Sequence, residues 1–363
     1  MPIREESFRI GCGRYIQGKG AISRLGEELL RLGSSPLVIG GKTALSKTLD
    51  FLTPILEANC NKYEIITHTG TCTKEDAERF VELCKEKGYN SIVGVGGGVI
   101  CDLAKLTAKT GDLPVINIPT SSATCACYTP LSVCYTAEGK NVGTAHFKTE
   151  VDSVLADTEI ISTQPPRLFL AGVFDAIAKY IELRQRYSTD DEDYPLGLDY
   201  AYLMASRTFE ILTGLMPQCL ENIERGEVSE AYERAIFASI AVTGVISGIA
   251  RGSNQTAIAH KFYDSTRFLF PSETKPYLHG EIVGVGLLMQ NHFNGQEKDN
   301  DFILSLMERY NMPSSVESMG VKRNDEAFRL YYDRICQSSA VDGNDPEERA
   351  RFKKSLEYLW GIE

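Results

Sequence analysis

The chain has 363 residues, of which 43% are hydrophobic and 24% charged, and its formal net charge is −11. Those values fit a globular protein of about two domains and exclude a disordered or low-complexity chain. With no long basic run, they argue against nucleic acid or an anionic membrane as partner, while a small anion needs only a local positive site. No run approaches the ~20 apolar residues of a membrane span. The charged start, MPIREESFRI, does not read as a signal peptide, so a cytoplasmic protein is expected. Ten cysteines without any CxxC pair read as reduced thiols rather than a zinc ribbon or a disulfide framework.

Taken in chain order, PLVIGG (36–41) reads as a short buried strand ending in glycines. Residues 44–60 follow as a helix, KYEIITHTG (62–70) as a strand, and 74–90 as an amphipathic helix. SIVGVGGG (91–98) is a strand running into glycines, VICDLAKLTAKTG (99–111) a helix, and LPVINIPT (113–120) a further strand. This alternation predicts a parallel sheet covered on both faces. After about residue 165 the pattern becomes helical, over 167–187, 200–226, 230–252, 302–311, 325–339 and 346–361. The expected organisation is an α/β domain over 1–163 and an all-α helical bundle over 164–363, with the pivot at QPPRL (164–168). The acidic, turn-rich 187–197 reads as an exposed loop.

Three groups of residues carry possible chemistry. In VGVGGGVICDLAK (93–105), glycines join a strand to a helix start, where backbone N–H groups can approach a phosphate. Such a turn also serves simply to pack a helix on a sheet, and the order of residues is not the GxGxxG fingerprint. Asp102 stands where it can accept hydrogen bonds from the loop. Second, of five histidines, His68, His146 and His292 read as surface or satisfied core groups. His260 and His279 each sit alone on an apolar helical stretch, and Asp175 is a carboxylate on an apolar helix face that would be costly without a partner. Asp175, His260 and His279 would suit zinc with an open fourth position, although each also reads as a satisfied core residue. Third, ATCACYTPLSV (123–133) holds Cys125 and Cys127, open between a metal, redox, nucleophilic or merely packing role.

Together, GGGxxxD, IPT with its serine-rich loop ending in LSVxY, the DAxAK helix, AH and HGE resemble the glycerol dehydrogenase group of the iron-containing alcohol dehydrogenase superfamily. That superfamily also includes dehydroquinate synthase-like enzymes. The resemblance spans nearly the whole chain. It implies a Rossmann-like N-terminal domain, a helical C-terminal domain and hydride transfer between NAD or NADP and a small hydroxy or oxo substrate. It also implies a homo-oligomer. It places Gly96, Gly97, Gly98 and Asp102 at the cofactor pyrophosphate. Thr120, Ser121, Thr129, Leu131 and Tyr135 would line the rest of the cofactor, and Asp175, His260 and His279 would hold a divalent metal. Lys179 stands where iron-using members carry a further histidine, which favours zinc over iron, manganese or nickel.

Three departures bear on the substrate and cofactor. Cys125 replaces the aspartate that contacts the polyol in glycerol dehydrogenases, and Val99 replaces a lysine after the glycines. Gly40, Gly41, Lys42 and Thr43 offer no carboxylate for a ribose 2′-hydroxyl, which tolerates NADP(H), with Lys42 as a candidate contact. A neutral thiol at Cys125 spares an acid anion the repulsion of a carboxylate. Lys179, one turn from Asp175, is a candidate anchor for a substrate carboxylate or a plain partner of Asp175. Cys127 reads as a small packing residue. The similarity is greatest to the hydroxycarboxylate dehydrogenase branch, which reduces 2-oxo acids with NADPH; glycerol oxidation is the alternative. A dehydroquinate synthase-like lyase and a nucleotide-binding module without catalysis fit the residues less well.

Overall fold

The structure, a computed structural model, describes residue 8 and residues 10–187 and 196–361. Most of the expected acidic loop at 187–197 therefore lies outside the described residues. Packing divides the chain into two units. One is residues 10–165 together with Gly214–Val245; the other is Phe8 and Pro166–Thr213 with the chain from Ile246 onward. The first division falls within QPPRL. Residues 214–245, expected in the helical domain, instead pack with the sheet unit. There the Tyr232 hydroxyl accepts a hydrogen bond from Gln164 Nε2 at 2.8 Å, and a Cβ on Gly244 would lie 2.2 Å from the Tyr128 ring.

Eight strands are described in the sheet unit: β1 (Tyr15–Gly18), β2 (Pro36–Gly41), β3 (Glu64–His68), β4 (Ser91–Gly96), β5 (Val115–Pro119), β6 (Leu131–Tyr135), β7 (Asn141–His146) and β8 (Ser153–Asp157). Six form a parallel sheet in the order β1-β8-β5-β4-β2-β3, and β6 pairs with β7 as an antiparallel hairpin. The helices of this unit begin with α1 (Leu25–Leu32), α2 (Lys42–Asn59), α3 (Lys74–Lys87), α4 (Gly98–Thr110) and α5 (Thr158–Ser162). The central strands are buried along their length because both faces are covered, so they read as continuous apolar runs rather than alternating ones. Val38, Val93, Ile116 and Leu155 form the centre of that core, with Leu52 and Leu56 of α2 packed on it. α3 starts where the Thr73 side chain accepts the Asp76 N–H and ends at Gly88, whose φ of 68° suits glycine.

β2 leads to β3 on one side, while β4 sits on the other side of β2 and is followed by β5. The strand order thus reverses between β2 and β4, the place where open α/β sheets bind ligands beyond their carboxyl ends. Gly40 is opposite Val95 and Gly96 opposite Pro119. Lys42, the glycines at 96–98 and Thr120 accordingly share one edge of the sheet.

The helical unit contains α6 (Pro166–Arg186) and the start of α7 (Leu198–Arg225), which continues into the sheet unit with α8 (Glu230–Phe237). After a turn of π-helix over Ala238–Val242 come α9 (Thr243–Ile249), α10 (Ile258–Leu269), α11 (Pro271–Thr274), α12 (His279–Phe293), α13 (Asn300–Arg309), α14 (Asp325–Cys336) and α15 (Pro346–Trp360). The helix expected over 230–252 is therefore interrupted. The Thr243 hydroxyl donates to the Ala238 carbonyl, five residues back, at 2.8 Å in the widened turn. Contrary to the expectation that no run reaches membrane-span length, Glu230–Ile249 does so by length and composition, with mean hydropathy 1.2. More than half of it is buried within the fold, as in a core helix.

Candidate metal centre and nucleotide site

In the helical unit, α6 is buried along most of its length and carries Asp175, Lys179 and Glu182 at positions i, i+4 and i+7. That spacing puts all three on one face. His260 is the third residue of α10, and His279 is the first residue of α12. The fold brings these residues together. His260 Nε2 lies 3.4 Å and His279 Nε2 3.5 Å from Asp175 Oδ1. One donor atom from each of Asp175, His260 and His279 falls within 4.8 Å of the others.

The histidines are placed by their helix starts. Ala257 provides no side-chain cap for α10. Instead Glu182 Oε1 accepts the N–H groups of Ala257 at 2.7 Å and His260 at 2.8 Å, and Gln290 Oε1 accepts those of Ile258 and Ala259. Both groups satisfy donors that a helix N-terminus leaves unpaired, and the Glu182 charge suits that end of the helix dipole. Glu281 does the same for α12, accepting the Leu278 N–H at 2.7 Å while its carboxylate is held by Arg167 at 2.5 and 2.6 Å. Gly280 lets α12 approach α6, since a Cβ there would stand 1.8 Å from the Ala171 carbonyl oxygen. Tyr263 packs edge-on against the His279 ring at 4.2 Å.

The electrostatics favour an ionised Asp175. Burial pushes its carboxyl upward, but the Lys179 ammonium and the two histidines outweigh that and hold it well below the usual range. Burial also opposes ionisation of Glu182, and His260 followed by Lys179 outweighs it. Burial lowers His260, Glu182 raises it, and the net direction is up. Glu182 Oε2 lies 2.5 Å from His260 Nδ1, a contact that favours a proton on Nδ1 and leaves Nε2 as the ring atom to offer an ion. One carboxylate and two imidazoles with an oriented tautomer fit a divalent ion of the zinc type. Lys179 Nζ is 3.3 Å from both Asp175 Oδ1 and His260 Nε2. Of the remaining histidines, His68 Nε2 meets the Thr71 carbonyl at 3.0 Å, His292 Nδ1 meets Ser355 Oγ at 3.0 Å, and His146 is exposed on β7.

In the sheet unit, Gly97 caps α4 without a side chain, so its first N–H groups face the sheet edge. The loop after β5 closes over the glycines. The Thr120 N–H donates to the Gly96 carbonyl, and a Cβ on Gly98 would lie 3.1 Å from Thr124 Oγ1. Ser121 and Thr129 are buried, Leu131 and Tyr135 are half-buried on β6, and Lys42 and Val99 are exposed at the starts of their helices. Asp102 is buried. Its Oδ2 accepts the Val133 N–H at 3.1 Å and its Oδ1 lies 2.9 Å from Lys105 Nζ. Lys105, fully buried, also donates to the carbonyls of Ala126, Thr129 and Leu131. Asp102 and Lys105 thus tie α4 to the loop and to β6. The half-buried Cys125 belongs to this loop, and its carbonyl accepts the Tyr128 N–H at 2.9 Å. Cys127 is buried, and burial pushes its thiol well above the ordinary range.

Sequence reading did not single out Glu182, Lys105, Gln290 or Glu281. Glu182 was findable, because it is two helical turns from Asp175 on the same face. Lys105 was not, because a lysine in a helix reads as solvated until its burial is known.

A family model described as iron-containing alcohol dehydrogenase matches residues 12–158. Over 92% of this chain and 91% of the relative, the sequence is 30% identical to a glycerol dehydrogenase of Thermotoga maritima. It is 28% identical to hydroxycarboxylate dehydrogenase A of Escherichia coli over 90% of this chain and 89% of that one. The fold matches the crystal structure of glycerol dehydrogenase from Schizosaccharomyces pombe with a TM-score of 0.82 over 99% of this chain and 91% of that chain, at 19% identity.

Proposed function

The chain belongs to the iron-containing alcohol dehydrogenase family, NAD(P)-dependent oxidoreductases acting on CH–OH groups with a divalent metal, and from that premise we propose that it interconverts small 2-oxo acids and 2-hydroxy acids. The observation that carries this reading is the buried Lys179 ammonium, 3.3 Å from both Asp175 Oδ1 and His260 Nε2. With a divalent ion present, that ammonium and the ion together outweigh the charges of Asp175 and Glu182. The surplus favours a substrate that brings a carboxylate and gives nothing to a neutral polyol. The thiol of Cys125, where polyol-acting relatives carry an aspartate, points the same way.

Asp175, His260 and His279 would hold the metal, which supplies Lewis-acid polarisation of the substrate's reacting oxygen. Zinc suits the donor set best. Glu182 keeps the His260 tautomer fixed. The glycine turn at 96–98 takes the nucleotide phosphates, and the lack of a carboxylate across 40–43, with Lys42 at the start of α2, favours NADPH.

Glycerol oxidation is the second reading, favoured by the 30% identity to a glycerol dehydrogenase. Zinc-loaded protein offered 2-oxobutyrate, 2-oxoglutarate and dihydroxyacetone, with NADPH and NADH consumption followed by absorbance, separates the two. Turnover of the oxo acids supports the hydroxy-acid reading. Turnover of dihydroxyacetone alone overturns it in favour of the polyol.

A further inference from the structure

Lys179 is 5% exposed and sits one helical turn after Asp175. Its Nζ lies 3.3 Å from Asp175 Oδ1 and 3.3 Å from His260 Nε2. An ammonium is a donor only, and with the His260 proton on Nδ1 against Glu182, Nε2 is an acceptor. Lys179 therefore directs its protons at two of the atoms that the Asp175, His260 and His279 set would offer to an ion. The single lone pair of an imidazole nitrogen cannot serve an ammonium proton and a metal together. A dication bound there would also repel the ammonium at short range.

We propose that Lys179 is a built-in competitor of the divalent metal. In the metal-free chain its ammonium engages Asp175 Oδ1 and His260 Nε2; metal binding displaces it. Its four-carbon stem allows the head to swing aside while the helix stays fixed. Two consequences follow. The buried Asp175 carboxylate keeps a cationic partner when no metal is bound, so the empty centre does not lose its fold. The three donors also hold the metal less tightly than they would alone, which makes the ion exchangeable. The inference rests on the reading of Asp175, His260 and His279 as a metal centre, and it holds whichever substrate is turned over.

The test is zinc affinity of the full chain, stripped with a chelator and titrated against a chromophoric competitor, for wild type, Lys179→Met and Lys179→Gln. Both variants are expected to bind zinc on the order of tenfold or more tightly than wild type. Their melting temperatures should fall below wild type when metal-free and equal or exceed it when zinc-loaded. A purely structural lysine would lower both. Wild-type zinc binding with unchanged or weaker binding in the variants overturns this inference alone, and no zinc binding by any of the three overturns the metal-centre reading with it. Should neither variant fold, carbon-13 lysine spectra of the wild type decide. The Lys179 Cε resonance must move on zinc addition in step with the His260 ring, and a stationary resonance overturns the proposal.

Discussion

Glu182 Oε2 lies 2.5 Å from His260 Nδ1, while its other oxygen accepts the backbone N–H of the same residue at 2.8 Å. One buried carboxylate thus favours one tautomer of a histidine in the proposed metal centre and sets the start of the helix that carries it. The two tasks cannot be separated by mutation, because both oxygens must be acceptors.

Glu182→Gln should expose that coupling. A glutamine amide has one acceptor and one donor end, so either Nδ1 or the α10 N–H groups face another donor. Zinc affinity is expected to fall about 10–100-fold, the usual effect of losing such a supporting partner. The melting temperature of the metal-free chain should fall as well. Zinc titration beside thermal unfolding checks both, and unchanged zinc affinity in a folded variant would contradict the assigned role.

Gly280 and Gly214 make a matched pair for the helical packing. A Cβ on Gly280 would stand 1.8 Å from the Ala171 oxygen and 2.5 Å from its carbonyl carbon, and backbone atoms cannot give way. Gly280→Ala must push α12 off α6 and carry His279 away from Asp175. A cost of about 3 kcal/mol and loss of bound zinc are expected. At Gly214, exposed within α7, a Cβ would meet nothing within 4 Å. Gly214→Ala should instead stabilise by ~0.5–1 kcal/mol. Urea denaturation of both variants decides, and equal signs would refute the packing argument.

Much of this was legible in the sequence. The apolar runs of β2, β4 and β5 and the periodicity of α3, α6 and α14 announce themselves, because burial on both faces or on one stripe leaves a pattern. β1 and β8 did not, since YIQG and SVLAD are short and their pairing, β1 with β8 and β8 with β5, is set by the sheet. The β6–β7 hairpin was hidden by its exposed, mixed second strand. Residues 214–245 look like any other helical segment, and their grouping with the sheet unit depends on contacts such as Gln164–Tyr232, 68 residues apart. At the site, Asp175, His260 and His279 could be nominated as rare polar residues on apolar helices. Asp102 could be read as an acceptor, as its bond from the Val133 N–H bears out, but its pairing with Lys105 could not, because Lys105 is a common helix residue whose burial is a property of the fold.

Lys105→Met tests that partnership. The lysine is fully buried between Asp102 and the carbonyls of Ala126, Thr129 and Leu131. Its removal leaves a buried carboxylate without a cation, a change that costs about 3–5 kcal/mol. It also frees the loop beside the glycine turn. NADPH affinity, read by fluorescence titration, should weaken, while zinc affinity should stay at the wild-type value because the proposed metal ligands lie in the other unit. A variant with wild-type stability and NADPH affinity would show that Lys105 does not hold the loop.

The buried thiols predict an alkaline limit to stability. Burial pushes Cys101 and Cys219 up to about 12 and Cys84 up to about 11. In the unfolded chain a thiol titrates at about 8.5. Between those values the folded chain retains protons that the unfolded chain has released, so stability falls as pH rises through that window. Below it both states are protonated and the contribution is fully present. Urea midpoints should therefore hold steady from pH 7 to 8 and decline from about pH 9, before lysines and most tyrosines titrate. Cys101→Ala, which removes one of these groups from the helix behind the glycine turn, should make the decline shallower, whatever it costs at pH 7. A midpoint constant to pH 10, or an identical slope in the variant, would mean that these thiols do not govern the alkaline transition.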